Sequence, residues 1–354
     1  MGLPVAHRLH QSGSRLGAGE SLLQASRKTH LAVLAFLFPL AVLLCQLQYE
    51  SSRRPGIPPI FEMYMRSDLS LLFTSRVLPR LGILAIHGLS GGRLSYEHAN
   101  ALLQLTCIWA TLFLVFRFAR TYLAPMPALA ATFLAAIFPI WGFLEVAGYC
   151  AYPYDFPAFL FSTAGLLAIA RRRYAWLVVV VLLGTTNRES VVWLLPAFFF
   201  VHARPGVRVR WLLVSTTLLG ILFAGTYELT RVLFDPAHTV HVTVQPTGPV
   251  GARYLNNLRD LLFLNQRNIF TNVWYPFTLH APAVLFFSRL HGDLRRLYWA
   301  VPFLLLPIFF FGNIGEARYY NEIGPLGAVS AVYLFARLWG ETARGQAAAV
   351  RPGV

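Results

Sequence analysis

The chain is a succession of apolar runs separated by short polar segments, many of them rich in arginine. The first run, Leu31–Leu47, follows a polar stretch over residues 1–29 that carries Arg8, Arg15, Arg27 and Lys28 and has no sustained apolar period. That stretch reads as a loosely ordered tail. Gln46, Gln48, Tyr49 and Glu50 stand where a signal peptide would have small residues, so the run reads as a retained anchor. Further runs cover residues 101–118, 127–147, 156–170, 211–233, 273–288, 297–312 and 320–338. Between 170 and 211 lies Trp176–Pro196, WLVVVVLLGTTNRESVVWLLP, in which Thr185 to Ser190 interrupt the apolar sequence. It reads as a hairpin of two short limbs.

Arginine sets the predicted orientation, because membrane loops rich in Arg and Lys stay on the cytoplasmic side. Arg171, Arg172 and Arg173 precede the hairpin, and Arg204, Arg208 and Arg210 follow it, so both feet stand in the cytoplasm and the tip points outward. Residues 174–186 reach roughly 20 Å as a helix, against a hydrocarbon core of about 30 Å. The tip therefore lies below the outer surface. The predicted architecture is all-α and polytopic, with about ten membrane passes counting the hairpin as two, and with both termini cytoplasmic in the plasma membrane. Residues 1–29 and 340–354 are tails, and residues 30–339 form the membrane domain. Its outer loops are 49–100 and 234–272. Within the first, LLFTSRVLPRLGILAIHGL, residues 71–89, is apolar enough to touch lipid, yet Arg76, Pro79, Arg80 and His87 favour an interfacial helix over a spanning one. A second surface helix is expected at YLNNLRDLLFLNQR, residues 254–267.

Composition agrees with this setting. Of 354 residues, 56% are apolar and 13% charged, which excludes an ordinary soluble domain. The net charge of +15 comes from arginines that punctuate apolar runs, so it marks topology and not nucleic-acid binding. Cys45, Cys107 and Cys150 are scattered and suggest neither a disulfide framework nor a zinc site. His238 and His241 have metal-like spacing but lack further ligands.

The acidic residues carry the functional signal. In this topology only Glu20, Asp293 and Glu341 of the 15 acids fall on the cytoplasmic side, and the positive-inside rule does not demand that bias. Glu62 and Asp68 lie in the first outer loop, and Glu145 and Asp155 flank the second. Arg188 and Glu189 tip the hairpin, and Glu316, Arg318 and Glu322 border the last outer turn. Arg66, Arg76 and Arg80 share that side. Arginine forks donate to two phosphate oxygens at once, and a neighbouring carboxylate can take a proton from an attacking hydroxyl. This pairing suits transfer of a group from a membrane-borne phosphate or pyrophosphate. No Walker or dinucleotide fingerprint is present, so no nucleotide cofactor is expected.

An acidic first outer loop followed by TSRVLPR, a YPYD turn, an NRES hairpin and a late GEARYYNEIGP together resemble the GT-C superfamily of integral-membrane glycosyltransferases. The resemblance covers residues 31–338 and is nearer to the bacterial branch with an NRE hairpin. It implies a polyprenyl-phosphate-linked sugar as donor, a glycan, lipid or protein acceptor, and an extracytoplasmic site. It also implies a first-loop carboxylate, Asp68 or Glu62, as base or ligand of a divalent metal ion. Asp68 is favoured because it is nearer Arg76 and Arg80. The chain has no Asp-x-Asp, which leaves metal use open. Arg76, Arg80, Arg188 and Arg318 would hold the donor phosphate; Asp155, Glu189, Glu316, Glu322 and Tyr154 would orient them or bind sugar.

Plainer roles exist for each. Asp68 and Asp155 each precede an apolar run and can cap a helix. Glu316 and Arg318 can pair at the surface, and tyrosines gather at membrane interfaces in any case. A transporter or a non-catalytic envelope-assembly protein would share much of this pattern, although charges confined to one side and the absence of an internal repeat speak against transport. Reporter fusions after Arg173 and after Arg208 should register in the cytoplasm and one after Asn256 outside; the reverse pattern would invert every assignment above.

Overall fold

In a computed structural model of the chain, the described residues are 10–53, 60–66, 76–145, 152–234, 275–311 and 317–349, with isolated positions between 255 and 262. They are helical and contain no strand. In chain order the elements are α1 (His10–Ser52), α2 (Ile60–Arg66), α3 (Val77–Leu89), α4 (Tyr96–Ala119), α5 (Pro125–Glu145), α6 (Asp155–Ala170) and α7 (Tyr174–Asn187). A 3-10 turn, Glu189–Trp193, leads into α8 (Leu194–His202) and α9 (Val209–Phe234). Short helices follow, α10 (Tyr275–Thr278), α11 (Ala281–Leu285) and α12 (Gly292–Tyr298), then α13 (Val301–Phe311). A second 3-10 turn, Ala317–Glu322, precedes α14 (Gly324–Ala349).

Three of the described helices are long and apolar enough to cross a membrane: Lys28–Ser52 within α1, α4, and α9. In α9 most of the apolar surface points outward, with Leu213, Leu218, Ile221, Leu229 and Leu233 exposed. A helix that is apolar on its outer face is stable against lipid and not against water. The core lies between α4, α6, α7, α8 and α14, where Phe116, Phe118, Leu166, Val181, Trp193, Leu194 and Leu326 are buried together.

α1 begins at His10, inside the segment expected to be a loose tail. Good helix formers such as Leu22, Leu23, Gln24 and Ala25 allow the apolar helix to propagate backwards once nucleated. α14 likewise runs on to Ala349, into the polar segment expected beyond residue 339. Of the surface helix expected within residues 71–89, Val77–Leu89 is helical and packs on α4 and α7, and residues 71–75 lie outside the described residues. Most of residues 254–267 and of the loop from 234 to 274 lie outside the described residues.

The hairpin is present. Tyr174, at the start of α7, packs edge-to-face on His202, at the end of α8, with ring centroids 5.3 Å apart, and Trp211 lies 6.0 Å from the Tyr174 ring. The limbs are therefore antiparallel with their feet at one level. Other arginine-bearing turns meet at that end. Arg204 donates to Asp293 at 2.5 Å, and Arg171 donates to the carbonyl of Arg117 at 2.9 Å. Arg337 donates to the carbonyl of Arg289 at 2.7 Å, and Tyr122 packs on His291 at 5.1 Å. The turns that sequence assigns to one side thus come together in space.

Two glycines make the hairpin fit. A Cβ on Gly165 would sit 2.2 Å from Cδ1 of Leu194, and one on Gly184 would sit 2.8 Å from Cγ2 of Val191. α6 can approach the second limb, and α7 the 3-10 turn, only because these positions have no side chain. Gly165→Ala should destabilise the protein by about 1–3 kcal/mol through overpacking. Gly225→Ala, where the new methyl meets open space, should not. Thermal unfolding in detergent compares the two, and equal melting temperatures would contradict this packing.

Candidate functional site

At the end of the bundle opposite the arginine-rich turns, the chain breaks after α7. Thr185 and Thr186 turn their hydroxyls back onto the carbonyls of Val181 and Leu183, at 2.6 and 2.8 Å. This competes with helix continuation. Arg188 is then extended, with φ −163° and ψ 136°, and the 3-10 turn starts at Glu189. The break turns Arg188 and Ser190 toward Glu322, Asn187 toward Tyr154 and Glu189 toward Arg76.

Arg188 points inward and is 2% exposed. Its Nη1 lies 3.6 Å from Oδ1 of Asp155, at the start of α6, and 3.5 Å from Oε1 of Glu322, at the end of the second 3-10 turn. These are ion contacts slightly longer than hydrogen bonds. Glu322 is 1% exposed and is held by two hydroxyls: Ser190 donates to Oε1 at 2.7 Å and Ser162 to Oε2 at 2.9 Å. Trp193 in turn donates its indole N–H to Ser162 at 3.3 Å. Asp155 divides its oxygens, Oδ2 accepting from the Tyr152 amide at 3.2 Å and Oδ1 facing Arg188. It therefore ties the turn before α6 as well as the guanidinium. Asn187, fully buried, donates to the carbonyl of Tyr154 at 3.1 Å.

A second ion pair adjoins this enclosed one. Arg76, immediately before α3, donates to both oxygens of Glu189, Nε to Oε2 at 3.2 Å and Nη2 to Oε1 at 2.5 Å. Both guanidiniums lie over the ring of Tyr154, itself 0% exposed. The Arg76 guanidinium lies 4.3 Å from the ring centroid and that of Arg188 5.9 Å away, while Tyr152 stacks at 5.0 Å. Cations over an aromatic face are attracted by its quadrupole. Tyr64 of α2 donates its hydroxyl to the Arg76 carbonyl, which fixes the backbone at the root of the fork. The Arg76 side chain is 7% exposed and that of Glu189 45%. Of the two partners, Glu189 is therefore the one with surface open to an incoming group.

The structure thus brings together Arg76, Tyr154, Asp155, Arg188, Glu189 and Glu322 from the candidates, drawn from four parts of the chain. Arg80 lies one turn along α3 from Arg76, and Glu62 is exposed on α2. Asp68 and Glu316 lie outside the described residues; Arg318 is within the second 3-10 turn, and its side chain is among those not described. Ser162, Asn187 and Trp193 were not picked out by the sequence, nor were Ser190 as a ligand of Glu322 and Tyr64 as a brace. A serine inside an apolar run, as in FLFSTAG, was the available signal for Ser162.

No protein-family model matches the chain, and neither a curated protein nor a solved structure does. Its chemistry has to be argued from this cluster alone. Among the described residues no three His, Cys, Asp or Glu side chains are grouped so as to hold a metal ion.

Two guanidiniums and three carboxylates therefore form a sealed half around Arg188 and an open half at Arg76 and Glu189. The sealed half fixes where α6, the hairpin and the second 3-10 turn meet. The open half can exchange partners with a ligand. Removing one member of a buried ion pair strands the other and costs roughly 3–5 kcal/mol. Arg188→Ala should accordingly lower the melting temperature sharply, whereas Arg172→Ala, on an exposed turn, should leave it nearly unchanged. Equal stability of the two would show that Arg188 is not the tie described.

Proposed function

We propose that this protein is a glycosyltransferase of the GT-C kind, embedded in the plasma membrane with about ten passes and both termini cytoplasmic. It transfers a sugar from a polyprenyl-phosphate donor to a glycan, lipid or protein acceptor outside the cytoplasm. The observation that carries this reading is the half-open Arg76–Glu189 pair at the end opposite the arginine-rich turns. An arginine fork matched to a carboxylate has the geometry that also accepts a phosphate. The apolar outer faces of α1 and α9 keep the pair within reach of a lipid headgroup.

In this mechanism a first-loop carboxylate, Asp68 or Glu62, takes the proton of the acceptor hydroxyl. The hydroxyl oxygen attacks the anomeric carbon, the bond from that carbon to phosphate oxygen breaks, and the electron pair leaves with the lipid phosphate. Arg76, with Arg80 and Arg318, holds the charge that develops there. Arg188 acts at one remove: enclosed by Asp155 and Glu322, it sets the position of the hairpin tip and of Tyr154, on whose ring Arg76 rests. Glu189 and Glu316 contribute hydrogen-bonding groups to the sugar. A divalent metal ion, where one is used, would rest on the first-loop acids.

The burial of Arg188 favours one other reading, in which the ion network is only a structural brace and the protein assists envelope assembly without catalysis. Transfer from a polyprenyl-phosphate sugar, measured with the purified protein in nanodiscs, separates the two. Arg76→Ala should lower turnover at least about 100-fold, the scale of losing a transition-state charge contact. Arg53→Ala, which breaks the exposed pair with Glu97, should leave it unaltered. Absence of transfer from a panel of polyprenyl-linked hexoses and pentoses would remove the enzyme reading.

A further inference from the structure

The Arg76–Glu189 contact poses a difficulty for any phosphate ligand: the fork it would use is already filled on both arms, by Oε2 at 3.2 Å and Oε1 at 2.5 Å. The two partners are not equally fixed. Arg76 is held from behind by the Tyr154 ring at 4.3 Å and at its carbonyl by Tyr64, and little of its side chain is open. Glu189 begins a 3-10 turn directly after the extended Arg188 and has nearly half its side-chain surface open. α9 packs against the 3-10 turn that Glu189 begins. Of the pair, the carboxylate is the member able to leave.

We propose that Glu189 is a resident stand-in for the phosphate of the ligand, and that binding proceeds by exchange of carboxylate for phosphate on Arg76. This rests on the reading of the site as a phosphate site, and adds to it an order of events. In the free protein, Glu189 neutralises the fork of a nearly buried Arg76, where an uncompensated guanidinium is costly. An incoming phosphate takes both arms of the fork, and the displaced carboxylate turns toward its open side. There it can accept hydrogen bonds from the hydroxyls of a sugar attached to that same phosphate. Phosphate without sugar would displace Glu189 and leave it unsatisfied; a sugar phosphate satisfies both halves. The ligand class is therefore a phosphate ester bearing a neighbouring polyol.

The test is direct binding to the full-length protein in nanodiscs, with undecaprenyl phosphate in the bilayer as one probe and inorganic phosphate in solution as another. A neutral amide holds the fork far less firmly than a carboxylate, because hydrogen bonds between charged partners are roughly twice as strong as neutral ones. Glu189→Gln should thus bind undecaprenyl phosphate about tenfold more tightly than the unmodified protein, and Arg76→Gln should abolish the gain when combined with it. Tighter binding of inorganic phosphate as well would assign the site to phosphate in general, and tightening confined to the lipid probe would assign it to a headgroup; either supports exchange. Should Glu189→Gln fail to fold, Glu189→Asp, with a carboxylate too short to span both arms, should bind more tightly than the unmodified protein. Equal or weaker binding in whichever of these variants folds would overturn the exchange. Sugar transfer that proceeds without any such tightening would leave the enzyme reading standing and the exchange refuted. Tightening without transfer would do the opposite.

Discussion

One buried guanidinium, that of Arg188, is the contact on which the arrangement at this end of the protein depends. Asp155 and Glu322 are far apart in the chain and belong to the starts and ends of different elements, yet both face Nη1 within 3.6 Å. Neither carboxylate could be taken out of water without that charge, and the charge could not be buried without them. Ser162, Ser190 and Trp193 complete the hydrogen bonding that so enclosed a network needs. A short hairpin whose limbs are too brief to cross a bilayer in isolation is in this way fixed to its neighbours at the tip as well as along its apolar flanks.

The same tie separates structural from chemical roles among residues that look alike. Arg76 and Arg188 are both arginines beside carboxylates and both lie over the Tyr154 ring. One is shut in by acids on fixed elements, and the other meets an acid with free surface. Tyr154 transmits position between them, because its ring is the floor for one guanidinium while its carbonyl is held by Asn187, next to the other. A single chain break after α7 thus sets both the permanent contact and the replaceable one.

Much of this was legible in the sequence, and for a physical reason. Arginine placement and apolar run length report sidedness, so the hairpin, its antiparallel limbs and the meeting of the arginine-rich turns followed from Arg171–Arg173, Arg204 and the run before Asn187. Depth and pairing did not follow. Arg76 and Glu189 are 113 residues apart, and Ser162 and Glu322 are 160 apart. No local spacing specifies which acid a given arginine will meet. The helical start of α1 at His10 was missed because polarity was read as looseness, although many polar residues have good helix propensity. Asp155 was expected either to cap α6 or to serve the site; it makes no cap bond to α6, and its two oxygens instead hold the Tyr152 amide of the preceding turn and face Arg188.

The most direct test of the central claim is a charge-neutralisation cycle on the enclosed network, read by thermal unfolding of the detergent-solubilised protein. Arg188→Met, the pair Asp155→Asn with Glu322→Gln, and the triple combination would be compared with the unmodified chain. If the guanidinium and the two carboxylates are one mutually dependent unit, the triple variant should be more stable than Arg188→Met alone, because no charge is left stranded. Strictly additive losses, with the triple variant the least stable of all, would contradict the account.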